Sequence, residues 1–510
     1  MGKPAKAELA WSPGSRFAPS AQYKPRDATS TVLHEVVRDH MEQFLLEASR
    51  GSDDGPGIPR FVEDELRKFL KCGDLAGGFA RFKCGSCGKE RLVPFSCKCR
   101  GACPSCAGRR MAERAADLVD LVIPYAPVRQ WVLSLPFVLR YRLAWDHGLT
   151  RKVLRAFIKE IERFFRKQAR AAGLKDVRVG AVAVIQRAGG ALNLNVHFHV
   201  AVLDGGFFRK ADGSLRFFAV RVATDDELKE IARRVREKVL KILGQKKLSP
   251  DEDAECWVDP LAEEHPAYAA TCAASVNQLT AIGPRAGRRT MRLGVEPDGD
   301  EPPFERNGHH ANAHGFDVHV GAQIHANDRA RLERMLRYLL RPPIAQGRLS
   351  LLSDGKVALE LKNQWNDGTT HLIFEPVEFI EKIAALVPRP QSNLIIYNGV
   401  LAPNAKWRKD VVRYGRPVLV KPASEEQPEP EKPAEGSRYR PWAELMKRTF
   451  GLDVLCCTEC GGRMKLIALI EEPSVVRKIL KHLKLPTDLA TPLPARSPPE
   501  QLELYDTYAE

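Results

Sequence analysis

Residues 192–205 read LNLNVHFHVAVLDG, two histidines set into a run that otherwise has the apolar, β-branched character of a buried strand. Alternate residues of a strand face one side. His197 and His199 therefore share a face, while Val196, Phe198 and Val200 share the other. Two neutral imidazoles on one face can hold a metal ion. An isolated H-x-H motif reads more simply as a pair of hydrogen-bonded histidines in or near a core, so the decision rests with the rest of the chain.

The flanking segments supply the fold. VRQWVLSLPF (128–137) is strand-like, and TRKVLRAFIKEIERFFRKQARAAG (150–173) has the spacing of an amphipathic helix closing on glycine. VRVGAVAVIQR (177–187) and the histidine segment form a hairpin through Ala188, Gly189 and Gly190. Thr224 and Glu227 make a capping box for a helix with Leu228, Ile231, Val235, Val239 and Ile242 on one face. FDVHVGAQIHA (316–326) is a further strand, and NDRARLERMLRYLLR (327–341) a helix stopped by Pro342 and Pro343. The order β-α-β-β-α-β-α predicts an α+β fold with a ferredoxin-like, split βαβ sheet whose first and third strands are central. His197 and His199 are thus expected on a central strand.

The chain has 510 residues, 44% hydrophobic composition and a formal charge of +15, enough for two or three domains and suited to a polyanionic partner such as nucleic acid. The absence of a long apolar run and of a charged-then-apolar start predicts neither a membrane span nor secretion, hence a cytoplasmic protein. Seven of the 12 cysteines fall between positions 72 and 106, which points to metal rather than disulfides. Cys84-x2-Cys87 and Cys103-x2-Cys106, fifteen residues apart, have the spacing of a closed structural zinc site. Cys72, Cys97 and Cys99 remain as ligands of a second zinc or as small core residues. Cys457-x2-Cys460, followed by two glycines, is half of a zinc ribbon; His482 is one further ligand position, and a metal-free turn is the other reading. Arg81, Lys83, Lys89, Arg91, Lys98, Arg100, Arg109 and Arg110 make the cysteine block basic, as a DNA-contacting module would be.

On the helix near 327–341, Arg331, Arg334, Tyr338 and Arg341 follow at spacings of three, four and three, away from the apolar stripe of Leu332, Met335, Leu336, Leu339 and Leu340. Arginines beside a phenol bind phosphate and favour it as a nucleophile. A divalent cation on His197 and His199 would polarise the scissile phosphate while Tyr338 attacks. Two histidines are too few for a stable site. Gln186, on the hairpin partner, and His319, on the last strand, are the alternatives for a third ligand, with Gln186 slightly ahead.

With these residues in view, the chain resembles the rolling-circle insertion-sequence transposases of the ISCR type, in the HUH single-strand nuclease superfamily. The resemblance runs through FSCKCRGACPSCAGRRM, RQWVLSLPF, LNLNVHFHVAVLDG, DRARLERMLRYLLRPP, DGTTHLIFEPVEFIEKIAALVPRP, GVLAPNAKWR and VLCCTECGGRMKLIALI. It implies structural Zn2+, a catalytic Mg2+ or Mn2+ on the His197/His199 pair, and a covalent 5′-phosphotyrosine link between Tyr338 and single-stranded DNA. Some relatives carry a second tyrosine four residues earlier; Arg334 stands there, which implies the single-tyrosine branch. Cys99 and Asn398 replace a usual glycine and a common histidine.

The expected organisation is a flexible N-terminus (1–27), a helical and Cys-rich zinc-binding domain (28–120), a catalytic domain (121–420) with an insert near 245–315, a Pro/Glu-rich linker (421–437), a small module (438–483) and a disordered tail (484–510). A replication initiator or relaxase would share the chemistry. A non-catalytic zinc-dependent DNA-binding protein and an unrelated H-x-H hydrolase are the readings from other classes.

Overall fold

A computed structural model describes residues 27–50, 57–245, 259–294, 309–417 and 440–495. The linker at 421–437, nearly all of the N-terminal segment and most of the tail lie outside these residues. The chain forms two compact units, and they cut across the linear boundaries expected above. Residues 75–95 group with the C-terminal module up to Thr487, while 27–74 and 96–427 form the larger unit.

The larger unit is built on a six-stranded antiparallel sheet. Its strands are β1 (Val128–Ser134), β2 (Gly180–Ala188), β3 (Leu194–Leu203), β4 (His309–Ala313), β5 (Phe316–Ile324) and β6 (Ile395–Gly399). They lie in the order β6-β2-β3-β1-β5-β4, so β3 and β1 are central. The edge strands β4 and β6 are short and were not anticipated. β6 contains Asn398 and is paired to β2, whereas β4 carries polar residues in a period that reads as loop.

Strand alternation divides the sheet into two faces. Trp131, Leu133, Phe198, Val200, Val318 and Val320 join the main core. Helices α1 (His147–Ala171) and α2 (Asp225–Gln245) cover that face, with Trp131 against Phe164 and Phe165. Each such side chain contributes about 1.5–3 kcal/mol on burial. On the opposite face Val182, Val184, Ala201 and Leu203 pack with Leu332, Leu336 and Leu339 of α3 (Arg329–Leu339). His197 and His199 belong to this second face, the one α3 covers.

Local chemistry sets the helix ends. The Asp146 carboxylate accepts from Leu149 N–H at 2.8 Å and starts α1 three residues earlier than its apolar spacing indicates. Thr224 and Glu227 form the expected reciprocal box at 3.0 and 3.3 Å before α2, which buries Leu243 rather than Ile242. Asp328 caps α3 through Arg331 N–H at 3.0 Å. The helix ends at Leu339, so Arg341 lies past it. The β2–β3 hairpin closes through Gly189–Asn193, and its left-handed residue is Leu192 (φ 56°), not one of the glycines.

The described part of the 245–315 insert is structured. It forms helices Pro260–Glu264 and Pro266–Val276 and strand Met291–Gly294, which pairs with Thr369–Phe374 in a separate four-stranded sheet. Tyr268 and Cys272 anchor it in the main core. Among the described residues, no helix is long and apolar enough to cross a membrane.

The smaller unit holds a three-stranded sheet in which Phe79–Cys84 lies between Glu90–Pro94 and Met464–Ile470. Phe79, Val476 and Leu480 form one of its core clusters, and Cys84, Cys457 and Met464 another.

Candidate functional site

The histidine face of the central sheet is a short grid. His197 stands directly across from Gln186 on β2. His199 pairs with Val184 on one side and Val132 on the other, and Val132 in turn pairs with His319. His319 is thus two strands away, roughly 9–10 Å in the hydrogen-bonding direction. Among the described residues, only two sets of cysteines bring three or more His, Cys, Asp or Glu ligand atoms within 4.8 Å of one another. His319 does not join the histidine pair in this arrangement, whereas Gln186 adjoins it.

The imidazole rings of His197 and His199 lie 4.9 Å apart. His199 is 5% exposed, and burial, reinforced by His197, Arg341 and His319, holds its pKa down at about 3. Burial also lowers the His197 pKa. Both rings are neutral near pH 7, the form that binds a cation. His197 Nδ1 lies 2.8 Å from the carbonyl of Asn195, so it donates there and leaves Nε2 for a ligand. His199 Nδ1 lies 2.8 Å from the Gln130 amide nitrogen. Gln130, on β1, was not foreseen from sequence. Its only signal is its position on the same face as the histidines, visible once β1 and β3 are paired. Gln186 donates from Nε2 to the Leu339 carbonyl at 2.6 Å, which directs its amide oxygen elsewhere and ties β2 to the end of α3.

That tie sets the place of Tyr338. Its ring lies 5.9 Å from that of His199, nearly perpendicular at 85°, and the residue is 40% exposed. Arg341 stacks over the phenol at 4.5 Å, and Lys362 lies 5.5 Å from the ring centre. Lys362 comes from a segment with no motif and was not anticipated. Arg331 and Arg334 are exposed on α3. The positive field of Arg341 and Arg140 reaches His197, and that of Arg341 reaches Arg348. The surroundings favour an anion next to the phenol and the imidazoles.

The cysteines sort differently from their spacing. Cys84 and Cys87 are not brought to Cys103 and Cys106. Instead Cys72, Cys97, Cys103 and Cys106 converge, with Cys72 3.5 Å from Cys103, and with Cys97 and Cys72 at 3.5 and 3.7 Å from Cys106. Tetrahedral Zn–S bonds of 2.3 Å require sulfurs about 3.8 Å apart, so this quartet fits a zinc ion. Cys103 caps helix Pro104–Asp117, a geometry unlike a ribbon knuckle. Cys99 is buried and donates to the Glu65 carbonyl, outside the quartet. Cys84 and Cys87 group with Cys457 and Cys460, and His482 is not among them.

Much of the basic character expected of the cysteine block is spent internally. Arg81 pairs with Glu90, Lys89 with Glu459, and Arg91 with the Val454 carbonyl. Arg100 and Arg110 donate to the carbonyls of Ser392 and Lys98. Arg109 is exposed.

Comparison with known families yields two matches. Residues 180–409 match the family described as "Putative transposase", a span that includes His197, His199 and Tyr338. Residues 36–135 match the "Transposase zinc-binding domain", a span that includes all seven N-terminal cysteines. No curated protein matches the chain. No solved structure matches it. The two family matches support a transposase role with DNA as partner, and the cysteine quartets support structural zinc.

Proposed function

We propose that this transposase-like chain nicks single-stranded DNA at the ends of a mobile element and transfers the strand through a 5′-phosphotyrosine on Tyr338. The observation that carries the reading is the 5.9 Å approach of an exposed phenol to a neutral histidine pair beneath a stacked arginine. The strand order, with β1 and β3 central, supports a ferredoxin-like HUH domain over roughly 121–420, preceded by a zinc-binding region.

Arg341, with Arg331 and Arg334 on the exposed side of α3, holds the phosphate oxygens. The Tyr338 oxygen attacks phosphorus as the bond to the 3′ oxygen breaks. The phenolic proton passes to solvent, and the departing oxygen takes one up to become a 3′-hydroxyl. Attack of a 3′-hydroxyl on the phosphotyrosine reverses the step and joins a new strand. His197, His199 and the amide oxygen of Gln186 are the groups to hold a divalent cation, Mg2+ or Mn2+. When bound, the cation polarises the non-bridging oxygens. With Arg334 four residues before Tyr338, one nucleophile serves each turnover.

Incubation of the full chain with single-stranded element ends and Mn2+ tests this. An SDS-stable protein–DNA adduct is expected from wild type and none from Tyr338→Phe. The covalent mechanism fails if wild type forms no adduct or the variant forms as much. A replication initiator or relaxase would give the same adduct; the match to a transposase zinc-binding domain favours transposition.

A further inference from the structure

The smaller unit contains a pair of turns that the nuclease reading does not use. Cys84-Gly-Ser-Cys87-Gly88 and Cys457-Thr-Glu-Cys460-Gly461 are built alike. Gly88 N–H donates to Cys84 O at 3.1 Å, and Gly461 N–H donates to Cys457 O at 3.0 Å. Cys84 N–H meets Lys89 O and Cys457 N–H meets Gly462 O, both at 2.8 Å. The glycine after each second cysteine is left-handed, φ 74° at Gly88 and 72° at Gly461. Glycine takes that conformation without the Cβ penalty other residues carry, so it stands in both turns where the left-handed residue is needed. Two such knuckles face each other. Cys84 Sγ lies 3.5 Å from Cys460 Sγ, and Cys87 Sγ lies 3.6 Å from Cys457 Sγ. All four sulfurs are within 4.8 Å of one another.

We propose that Cys84, Cys87, Cys457 and Cys460 bind a zinc ion as a ribbon site assembled from two halves some 370 residues apart, separate from the ion of the Cys72 quartet. The sulfur separations match the roughly 3.8 Å edge of a Zn–S4 tetrahedron and far exceed the ~2.05 Å of a disulfide. Pairing of Phe79–Cys84 with Met464–Ile470, and the 2.5 Å Lys89–Glu459 ion pair, bring the halves into register. With Phe79, Val476 and Leu480 as the buried members of the adjoining core, the metal is the main fastening of this unit. The C-terminal segment is thus held to the N-terminal hairpin by zinc.

Metal analysis of the purified full chain tests this. Two zinc ions per chain are expected for wild type. Cys457→Ser/Cys460→Ser, Cys84→Ser/Cys87→Ser and the four-fold variant should each retain one, because both pairs serve the same ion. Cys460→His should retain two. The proposal fails if the C-terminal pair can be removed without loss of zinc, or if the four-fold variant loses both ions while each pair loses one. Should the serine variants not fold, alkylation of wild type under reducing conditions gives the answer. Cys87, Cys456 and Cys460 are all exposed, and Cys456 is outside the quartet. Cys456 should react at once, with Cys87 and Cys460 reacting only after chelation. Equal rates for all three before chelation would overturn the proposal.

Discussion

The amide nitrogen of Gln130 stands 2.8 Å from Nδ1 of His199. A neutral imidazole that accepts at Nδ1 keeps its proton on Nε2, the nitrogen left for a ligand. Cation binding through Nε2 therefore requires the Gln130 amide to turn over and accept from Nδ1–H, the arrangement His197 already has with Asn195. Gln130→Leu should weaken Mn2+ binding about 10–100-fold, and Gln130→Glu, which can only accept when ionised, should equal or exceed wild type. Titration calorimetry of the three proteins decides it, and unchanged affinity in the leucine variant rules out the coupling.

The two faces of β3 should separate stability from chemistry. Phe198 is fully buried in the main core, so Phe198→Ala should destabilise by about 3–5 kcal/mol. The His197→Ala/His199→Ala variant should remain folded by circular dichroism yet lower the rate of adduct formation about 100-fold or more. Unfolding of the double variant instead would make the pair structural.

The stacked Arg341 should act on the phosphate rather than on folding. Arg341 is an exposed residue past the end of α3, with its guanidinium over the Tyr338 ring. Arg341→Ala should slow adduct formation by about 10-fold or more, with its melting temperature near wild type. Arg341→Lys should recover only part of the rate, because lysine has no planar fork to hold two oxygens. Full recovery would mean that charge alone matters.

Beneath the same sheet, Arg129 on β1 grips Asp204 at 2.7 Å, with the two side chains 10% and 2% exposed. Arg129→Met leaves a buried carboxylate without its charge partner, with the Gln323 amide still donating to it, and should cost about 3–5 kcal/mol in urea unfolding. Arg129→Met/Asp204→Leu should regain most of that, since no buried charge remains. A double variant as unstable as the single one would count against this account.

Glu227 carries a pH dependence. Its ion pair with Arg221, with hydrogen bonds from Thr224, lowers its pKa to about 2. The folded value is depressed, so the stabilisation is complete above the unfolded value near 4.3 and is lost as pH falls through about 2. Arg221 is half exposed, and screening limits the contribution to about 1 kcal/mol. Glu227→Gln keeps the cap hydrogen bond but not the charge, so it should be less stable than wild type at neutral pH, the difference closing as pH falls through ~2. A difference that persists undiminished to acid would contradict the assignment.

Reading by periodicity reached whatever depends on neighbours a few residues apart. The shared face of His197 and His199 follows from the two-residue repeat of a strand, the end of α3 to within two residues from Pro342 and Pro343, and the Cys84 and Cys457 knuckles each from its own Cys-x2-Cys. Those features are local, so the sequence alone determined them. It also placed Gln186 near the histidines, because a hairpin confines the partner strand.

Tertiary structure decided the partners. Cys84 and Cys87 lie nearer in sequence to Cys103 and Cys106, yet they meet Cys457 and Cys460; the glycine after Cys87 and Cys460, absent after Cys106, is the one local clue. Gln130 reached His199 only through pairing of β1 with β3, and Lys362 reached Tyr338 from a segment without a motif. Spacing encodes which way a side chain points, whereas which groups lie opposite it depends on long-range register and packing across hundreds of residues.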